Sequence, residues 1–317
     1  MYRTYSQRIR RLVIETVDLQ SLGAELKIIG EIDNPGYRDF NPSIAFHNGK
    51  LKIALRRCNF AVERHGRWYF RDNSAYSKTD VLYGDLDPDT LQVSDLRKLE
   101  LSEDSPIVTR LAGLEDVRLF SRKDGMHAIG FESDRITRSL HNKSTSMAEY
   151  LIKGNQLKYL RTLKKPDPET VEKNWCPTDV PSNIFDTTYS DTQSYKDGKL
   201  IGKPSTSNIH GGSQLLLQRD GTYLSIVHEK KLDPKFNRLN NNVYDKYIYH
   251  HYLAKHDEYG IITELSKAFT FGTHENIEFA AGMVEYNGDF LITVGVRDCR
   301  WLVCRISEEK LFTLFNT

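Results

Sequence analysis

The chain has no pair of cysteines at metal-ligand or redox spacing. Its four cysteines, Cys58, Cys176, Cys299 and Cys304, are scattered through 317 residues. That scatter excludes a CxxC zinc site or thiol-redox motif and fits reduced thiols in a cytoplasmic protein. Long apolar runs are also missing; none approaches the roughly 18 residues of a membrane span. The opening MYRTYSQRIRRLVIETV carries arginines but no apolar stretch of signal-peptide length, so no leader is expected. Net charge is scarce, with 44 Lys and Arg against 43 Asp and Glu. That balance excludes binding nucleic acid by bulk charge, although not through a local basic groove. Aromatics are plentiful: 17 tyrosines in a chain whose mean hydropathy is −0.54. A polar, Tyr-rich chain suits a hydroxyl-bearing ligand and equally any Tyr-rich β-protein.

What is present is a recurring phrase: a polar cluster, an apolar strand, Asn-Gly or Asp-Gly, then a second apolar strand. It reads NPSIAFHNGKLKIALR from Asn41, EDVRLFSRKDGMHAIGFE from Glu115, GGSQLLLQRDGTYLSIVHE from Gly211 and AAGMVEYNGDFLITVGVRD from Ala280. A degraded copy starts near Lys173 in KNWCPTDVPSNIFDTTY. Asn-Gly and Asp-Gly accept positive φ at both centres of a type I′ turn, so each phrase predicts a hairpin. Irregular spacing over several tens of residues suits propeller blades of about four strands with loops inserted between them. Polar openings fit strands that start around one central pocket. DRITRSLHNKSTSMAEY from Asp134 predicts a loop with a short helix. HEKKLDPKFNRLNNNVYDKYIYHHY from His228 predicts a long loop turning aromatic. Residues 1–30 are either strand then helix, or an outer strand.

GLEDVRLF, residues 113–120, places charges where a strand enters a core, a costly position unless they have partners or a task. Strand alternation puts Asp116, Arg118 and Phe120 on one side and Glu115, Val117 and Leu119 on the other. Arg118 is then beside Asp116 and holds it ionised; a plain structural ion pair explains the same residues. EKNWCP supplies Glu172, Lys173, Asn174 and Trp175. Lys173 suits a phosphate and Trp175 the apolar face of a sugar; the alternatives are a solvated lysine and a core tryptophan. IHGGSQ carries His210 and Gln214 around two glycines that let backbone approach a ligand. HEKK gives His228. YIYHHY gives Tyr249, His250 and His251, with Tyr249 and His251 on one face. Lys173, His210, Arg118 and one of the two adjacent histidines make an anion cradle. Arg57 in ALRRCNF, Glu278 in IEFAAGM and Asp298 after GVR are further polar candidates, each with a rim or ion-pair alternative. DLDPD contains a formal DxD, but it reads as an interstrand loop, and no metal set is expected.

NPSI, GLEDVRLF, EKNWCP, HGGSQLL with GTYLSIVHE, YIYHHYLAK, and IEFAAGMV with LITVGVRD occur in that order. Together they resemble the five-bladed β-propeller superfamily of glycoside hydrolase family 130, the β-mannoside phosphorylases, and the related β-1,2-mannosyltransferases of glycosyltransferase family 108. The resemblance covers roughly residues 38–307 and implies an all-β, five-bladed propeller with a central pocket. It implies one domain over 1–317, with 1–37 packing on or closing the ring. In that superfamily the motif reads Glu-Asp-Pro-Arg and its Asp is the catalytic acid or base. The matching residue is Asp116, with Val117 in place of the Pro. Asn41, Arg57, Glu115, Arg118, Lys173, Asn174, Trp175, His210, Gln214, His228, Tyr249, His250, His251, Glu278 and Asp298 are the expected substrate or donor contacts.

The expected activity is inverting transfer of a sugar, mannose by resemblance, from an activated donor to an acceptor hydroxyl. A sugar nucleotide or sugar phosphate serves as co-substrate and no separate cofactor is expected. The alternatives are a β-mannoside phosphorylase using inorganic phosphate and a non-catalytic propeller that binds a glycan or protein. The acceptor is a glycan first, with a lipid-linked glycan or a modified nucleic-acid base kept open.

Overall fold

The computed structural model describes residues 16–30, 37–62, 68–70, 76–132, 146–163, 173–178, 187–189, 194–196, 199–202, 209–233, 246–258 and 260–316, and these are mostly strand. Asn48 and Gly49 turn Arg38–His47 into Lys50–Cys58; Asn287 and Gly288 turn Glu278–Tyr286 into Asp289–Val296. Both residues of each turn have positive φ, 50° and 75° in the first, 53° and 81° in the second, as a type I′ turn requires. The Asp-Gly phrases also make hairpins, but not through that geometry. Leu114–Arg122 meets Gly125–Glu132 around Lys123 and Asp124. Before Tyr223–Leu232 only Gly221 of the Asp-Gly pair takes positive φ, 85°.

The first sheet runs Arg38–His47, Lys50–Cys58, Thr79–Leu86, Val93–Leu101, each strand antiparallel to the next. Leu114–Arg122, Gly125–Glu132, Ser146–Lys153 and Gln156–Thr162 repeat this plan. The two meanders touch through a short parallel pairing of Gln156 and Leu157 with Glu100 and Leu101. Further along, Ile209–Gly211 and Leu216–Leu217 pair with Tyr223–Leu232, which pairs with Tyr247–His256 and then with Ile262–Leu265 and Ala268–Thr270. The last sheet is Glu278–Tyr286, Asp289–Val296, Arg300–Ser307. Between the second meander and Ile209 lie two short pairs, Cys176–Pro177 with Thr187–Tyr189 and Ser194–Lys196 with Lys199–Gly202.

N-terminal segments finish two of these sheets. Thr16–Asp18 lies parallel to Ala268–Thr270, and Glu25–Gly30 lies antiparallel to Arg300–Ser307. Of the two readings of residues 1–30, the described part is therefore outer strand, with a 3-10 turn Leu19–Leu22 between. The expected loop and helix after Asp134 is corrected in part: Ser146–Lys153 is a strand, and residues 134–145 lie outside the described residues. Residues 234–245 of the expected long loop, and Glu172, also lie outside them. Among the described residues no helix is long and apolar enough to cross a membrane.

Apolar clusters join each sheet to its neighbours. Leu291, Trp301 and Val303 of the last sheet pack on Ile44, Ile53 and Leu82 of the first. Ala54, Val81 and Leu99 pack on Leu119, Ala128 and Tyr150, and Phe120, Ile129 and Met147 on Trp175. Cys176 meets Ile209 and Val227, while Ile226, Leu253 and Phe269 return to Ile292 and Val294. Each large side chain buried this way contributes about 1.5–3 kcal/mol. Where the first strands converge, Gln214 is fully buried, and its amide Nε2 donates to Ile44 O and Met283 O, both at 2.7 Å. Leu119 N donates to Ser43 Oγ at 2.9 Å and Thr293 Oγ1 to Pro42 O at 2.7 Å. These bonds satisfy backbone groups that the ladders leave open. Backbones approach closely there, since a Cβ on Gly282 would lie 2.5 Å from Ile44 N.

Candidate active site

Two first strands break their ladders near their mouths. Pairing skips from Phe40 to Ser43 on one strand and from Glu115 to Arg118 on the other, so one extra residue bulges out of each. Bulges re-aim side chains. The bulged residues Asn41 and Asp116 both have φ of 47°; Asn174 has 61° and Asp298 has 50°. Asn and Asp tolerate this left-handed region better than other non-glycine residues, yet such conformations cost on the order of 1–3 kcal/mol. All four residues line one cavity of about 380 Å³. Arg56, Phe60, Glu115, Lys173, His210, His228, Lys230, Tyr249, Ile277 and Phe279 complete its lining.

The bulge corrects the alternation expected along GLEDVRLF. Glu115 and Asp116 both face the cavity, and Arg118 does not pair with the Asp116 carboxylate. The partner is Arg56, whose Nη1 lies 3.0 Å from Asp116 Oδ1. Asn41 Nδ2 donates to the same oxygen at 2.8 Å. Arg56 Nη2 lies 3.1 Å from Glu115 Oε2, a charge contact rather than an aligned hydrogen bond. The Arg56 guanidinium also stands over Phe40 and Phe60, 5.1 and 5.9 Å from their ring centroids. Arg118 is fully buried: Nε donates to Gly212 O at 3.0 Å, Nη2 to Asn174 Oδ1 at 3.3 Å, and Nη1 to the Asp116 carbonyl. It braces the bulge from behind. Burial pushes the Asp116 carboxyl up, but Arg56, then Arg118, the Asn41 amide and Lys173 outweigh it. Together they hold the carboxyl well below the usual carboxylate range, so Asp116 is ionised.

The lining mixes charges: Glu115, Asp116 and Asp298 supply carboxylates, Arg56, Lys173 and Lys230 supply cations, and His210, His228 and Tyr249 add rings. His228 is buried in a ring stack, with His210 at 5.4 Å, Tyr249 at 5.1 Å and Phe279 at 5.2 Å between centroids. Burial, then the charges of His210, His251, Arg118 and Lys173, lower its pKa well below that of free histidine, so it is neutral. Its Nδ1 is buried with no hydrogen-bond partner among the described residues.

The other expected contacts lie elsewhere. Arg57 points away from the cavity to Asp39, with Nε and Nη2 at 2.7 and 2.8 Å from its two carboxylate oxygens. Trp175 is 2% exposed among Phe120, Ile129, Phe131, Met147 and Leu163, a core residue rather than a sugar platform. Gln214 is the cross-strand tie already described. His251 shares a face with Tyr249, as alternation requires, but it is sealed against Phe269 and Phe271. His250 is opposite Glu229 in the ladder and off the cavity lining. Glu278 accepts from Phe271 N at 2.8 Å, Thr273 N at 3.0 Å and Thr273 Oγ1 at 2.6 Å, and so anchors a loop. Arg297 and Arg300 both pair with Glu275. Arg56, Phe60, Lys230, Ile277 and Phe279 were not picked out from sequence. Lys230, two residues after His228 on a strand, carried a period-two signal that could have flagged it. In DLDPD, Asp85 is on a strand, and Asp87 Oδ1 caps a turn by accepting from Asp89 N and Thr90 N at 3.0 and 2.7 Å. Among the described residues no cluster of His, Cys, Asp and Glu could hold a metal ion.

No protein-family model matches the chain, and no curated protein matches it. Solved structures do. β-1,2-Mannobiose phosphorylase from Listeria innocua shares 12% identity over 91% of this chain and 95% of its own, with a TM-score of 0.55. MPT-4, a mannose phosphorylase from Leishmania mexicana in complex with phosphate ion, shares 16% over 90% and 88%, with 0.58. MPT-1, a GDP-Man-dependent mannosyltransferase from the same organism, shares 15% over 94% and 92%, with 0.57. At these identities the likeness is one of fold: this chain is built like the mannoside phosphorylases and mannosyltransferases that its motifs resemble.

Proposed function

We propose that the protein is an inverting glycosyltransferase that passes a sugar, mannose-like by its structural neighbours, from a phosphate-activated donor to an acceptor hydroxyl. We read its sheets as five blades of a single propeller domain, with the two short pairs, Cys176–Pro177 with Thr187–Tyr189 and Ser194–Lys196 with Lys199–Gly202, in the third blade and Glu25–Gly30 closing the last. The central well is then the cavity around Asp116. The observation that carries the reading is an ionised carboxylate, raised on a strained bulge, in a cavity that Lys173, Lys230 and His210 also line. Strain held in place by the surrounding structure is a mark of functional positions.

In this reading an acceptor hydroxyl gives its proton to Asp116, and its oxygen attacks the anomeric carbon. The bond from that carbon to the phosphate oxygen breaks on the opposite face, so configuration inverts. The charge gathering on the departing phosphate is met by Lys173, Lys230 and an N–H of His210. A carboxyl held below its usual range is a weak base at rest. A phosphate seated by Lys173 cancels one of the charges that depress Asp116, so its binding raises the proton affinity of the carboxylate.

The test incubates purified protein with GDP-mannose, other sugar nucleotides or mannose 1-phosphate and a mannoside acceptor, with product anomer read by NMR. We expect transfer with inversion, and Asp116→Asn to lose about 10²- to 10⁴-fold in rate while keeping its circular dichroism. Full activity in Asp116→Asn would refute the role. Sugar phosphate formation only when free phosphate is supplied would establish the phosphorylase instead.

A further inference from the structure

The strand that brings Lys230 to the cavity continues past it. Tyr223–Leu232 and Tyr247–His256 run antiparallel with His228 opposite His251, Lys230 opposite Tyr249 and Leu232 opposite Tyr247. These pairs share one face of the ribbon, because side chains two apart on a strand point the same way. The face is graded. His251 is sealed, His228 and Tyr249 stack in the cavity, Lys230 lines it, and Leu232 stands 62% exposed at the outer end. Tyr247 is partly exposed beside it. Lys230 Nζ lies 4.2 Å and Lys246 Nζ 5.0 Å from its ring centroid. The phenol is pulled below its usual pKa by those two lysines, Lys246 first.

Resting on the transferase reading, we propose that Leu232, Tyr247 and their flanking lysines form a nucleotide platform at the cavity rim. A base stacks on Tyr247 and Leu232, flanked by Lys246, and the attached phosphates run inward along Lys230 toward the reaction centre. An exposed ammonium over a ring is held more weakly than a stacked base. A base therefore displaces one lysine from the ring, and the freed ammonium turns to the phosphate. An inorganic phosphate or a bare sugar phosphate reaches Lys173 without touching Tyr247, so the platform has a use only for a ligand that carries a planar group beyond its phosphates. Tyr247 is thus a specificity-determining residue. The same chemistry is offered by a nucleoside diphosphate leaving group and by one unit of a single-stranded nucleic acid.

Calorimetric titration of the whole protein with GDP, UDP, inorganic pyrophosphate, a short single-stranded oligodeoxynucleotide and β-mannobiose tests this without turnover. We expect GDP and UDP to bind and Tyr247→Ala to weaken them roughly 5- to 150-fold. Tyr247→Phe should keep most of the affinity, and pyrophosphate, lacking a base, should bind both proteins alike. Tyr247-dependent binding of the oligodeoxynucleotide alone supports the platform and assigns it to the acceptor. Nucleotide binding indifferent to Tyr247, or Tyr247-dependent binding of β-mannobiose alone, overturns it and leaves the transferase reading standing. Absence of transfer from every donor, with Tyr247-dependent GDP binding intact, would sink that reading and keep the platform.

Discussion

Replacing Arg56 by methionine tests whether the cavity is built as described. The side chain is 7% exposed and lies between two carboxylates, Asp116 at 3.0 Å and Glu115 at 3.1 Å, themselves 15% and 8% exposed. Methionine keeps the stem against Phe40 and Phe60 but removes the charge. Glu115 and Asp116 are then left facing one another with their shared cation gone. Breaking a buried pair from one side costs about 3–5 kcal/mol. In a chain of 317 residues that is a fall in Tm of about 4–8 °C at neutral pH. The pH dependence follows from the sign of the shift. Asp116 has a folded pKa below its unfolded value, so its contribution is complete above about pH 4 and is lost as pH falls through the folded pKa. The gap between wild type and Arg56→Met is therefore widest near neutrality and narrows as acid protonates Asp116 in both proteins. Scanning calorimetry from neutral pH into acid reads this directly. The triple variant Arg56→Met, Glu115→Gln, Asp116→Asn should recover part of the loss, since both carboxylates paired with Arg56 are neutralised with it. An Arg56→Met protein that melts with the wild type at neutral pH would refute the buried pairing and the ionised state of Asp116 that depends on it.

Two further predictions concern residues that look functional and are structural. His256 is fully buried, with Nδ1–H donating to Gly260 O at 3.1 Å and Nε2 accepting from Ser225 Oγ at 2.8 Å, and burial brings its pKa down to about 4. Burial likewise brings His251 down to about 3. The unfolded chain binds these protons from about pH 6.5 downward and the folded chain does not. Urea stability should therefore fall by about 1.4 kcal/mol per pH unit for each histidine between pH 6.5 and about 4, and His256→Gln should flatten the slope. A wild-type stability that is level across that window would contradict both assignments. Trp175→Ala should cost about 3–5 kcal/mol by opening the cluster around Phe120 and Met147. Trp175→Phe should transfer sugar at close to the wild-type rate; a selective rise in KM for donor or acceptor would show that the ring touches substrate after all.

The chain made its hairpins legible because their cause is local. Asn48 with Gly49, and Asn287 with Gly288, fix two turns within a few residues, and period-two apolar patterning does the rest. The polar clusters at strand mouths were legible for a similar reason: Asn41, Glu115 and Asp116 are costly there unless something uses them, and the structure brings all three to one cavity. What the pattern could not give was which of two neighbours faces in. Arg56 and Arg57 are indistinguishable by composition, and which of them faces the cavity depends on carboxylates from other strands. Asp39, one strand away, takes Arg57, while Asp116, in another sheet, takes Arg56. Asp116 and Arg118 failed in the opposite direction. Alternation puts them side by side, but positive φ at Asp116 turns the carboxylate into the cavity and leaves Arg118 holding Asp116's carbonyl, Gly212 and Asn174 instead. Asp116 is an extra residue of its strand, and an extra residue shifts the phase of the side chains before it relative to those after it. A period-two reading holds from Val117 onward and fails at the mouth, where positive φ turns Asp116 toward the cavity.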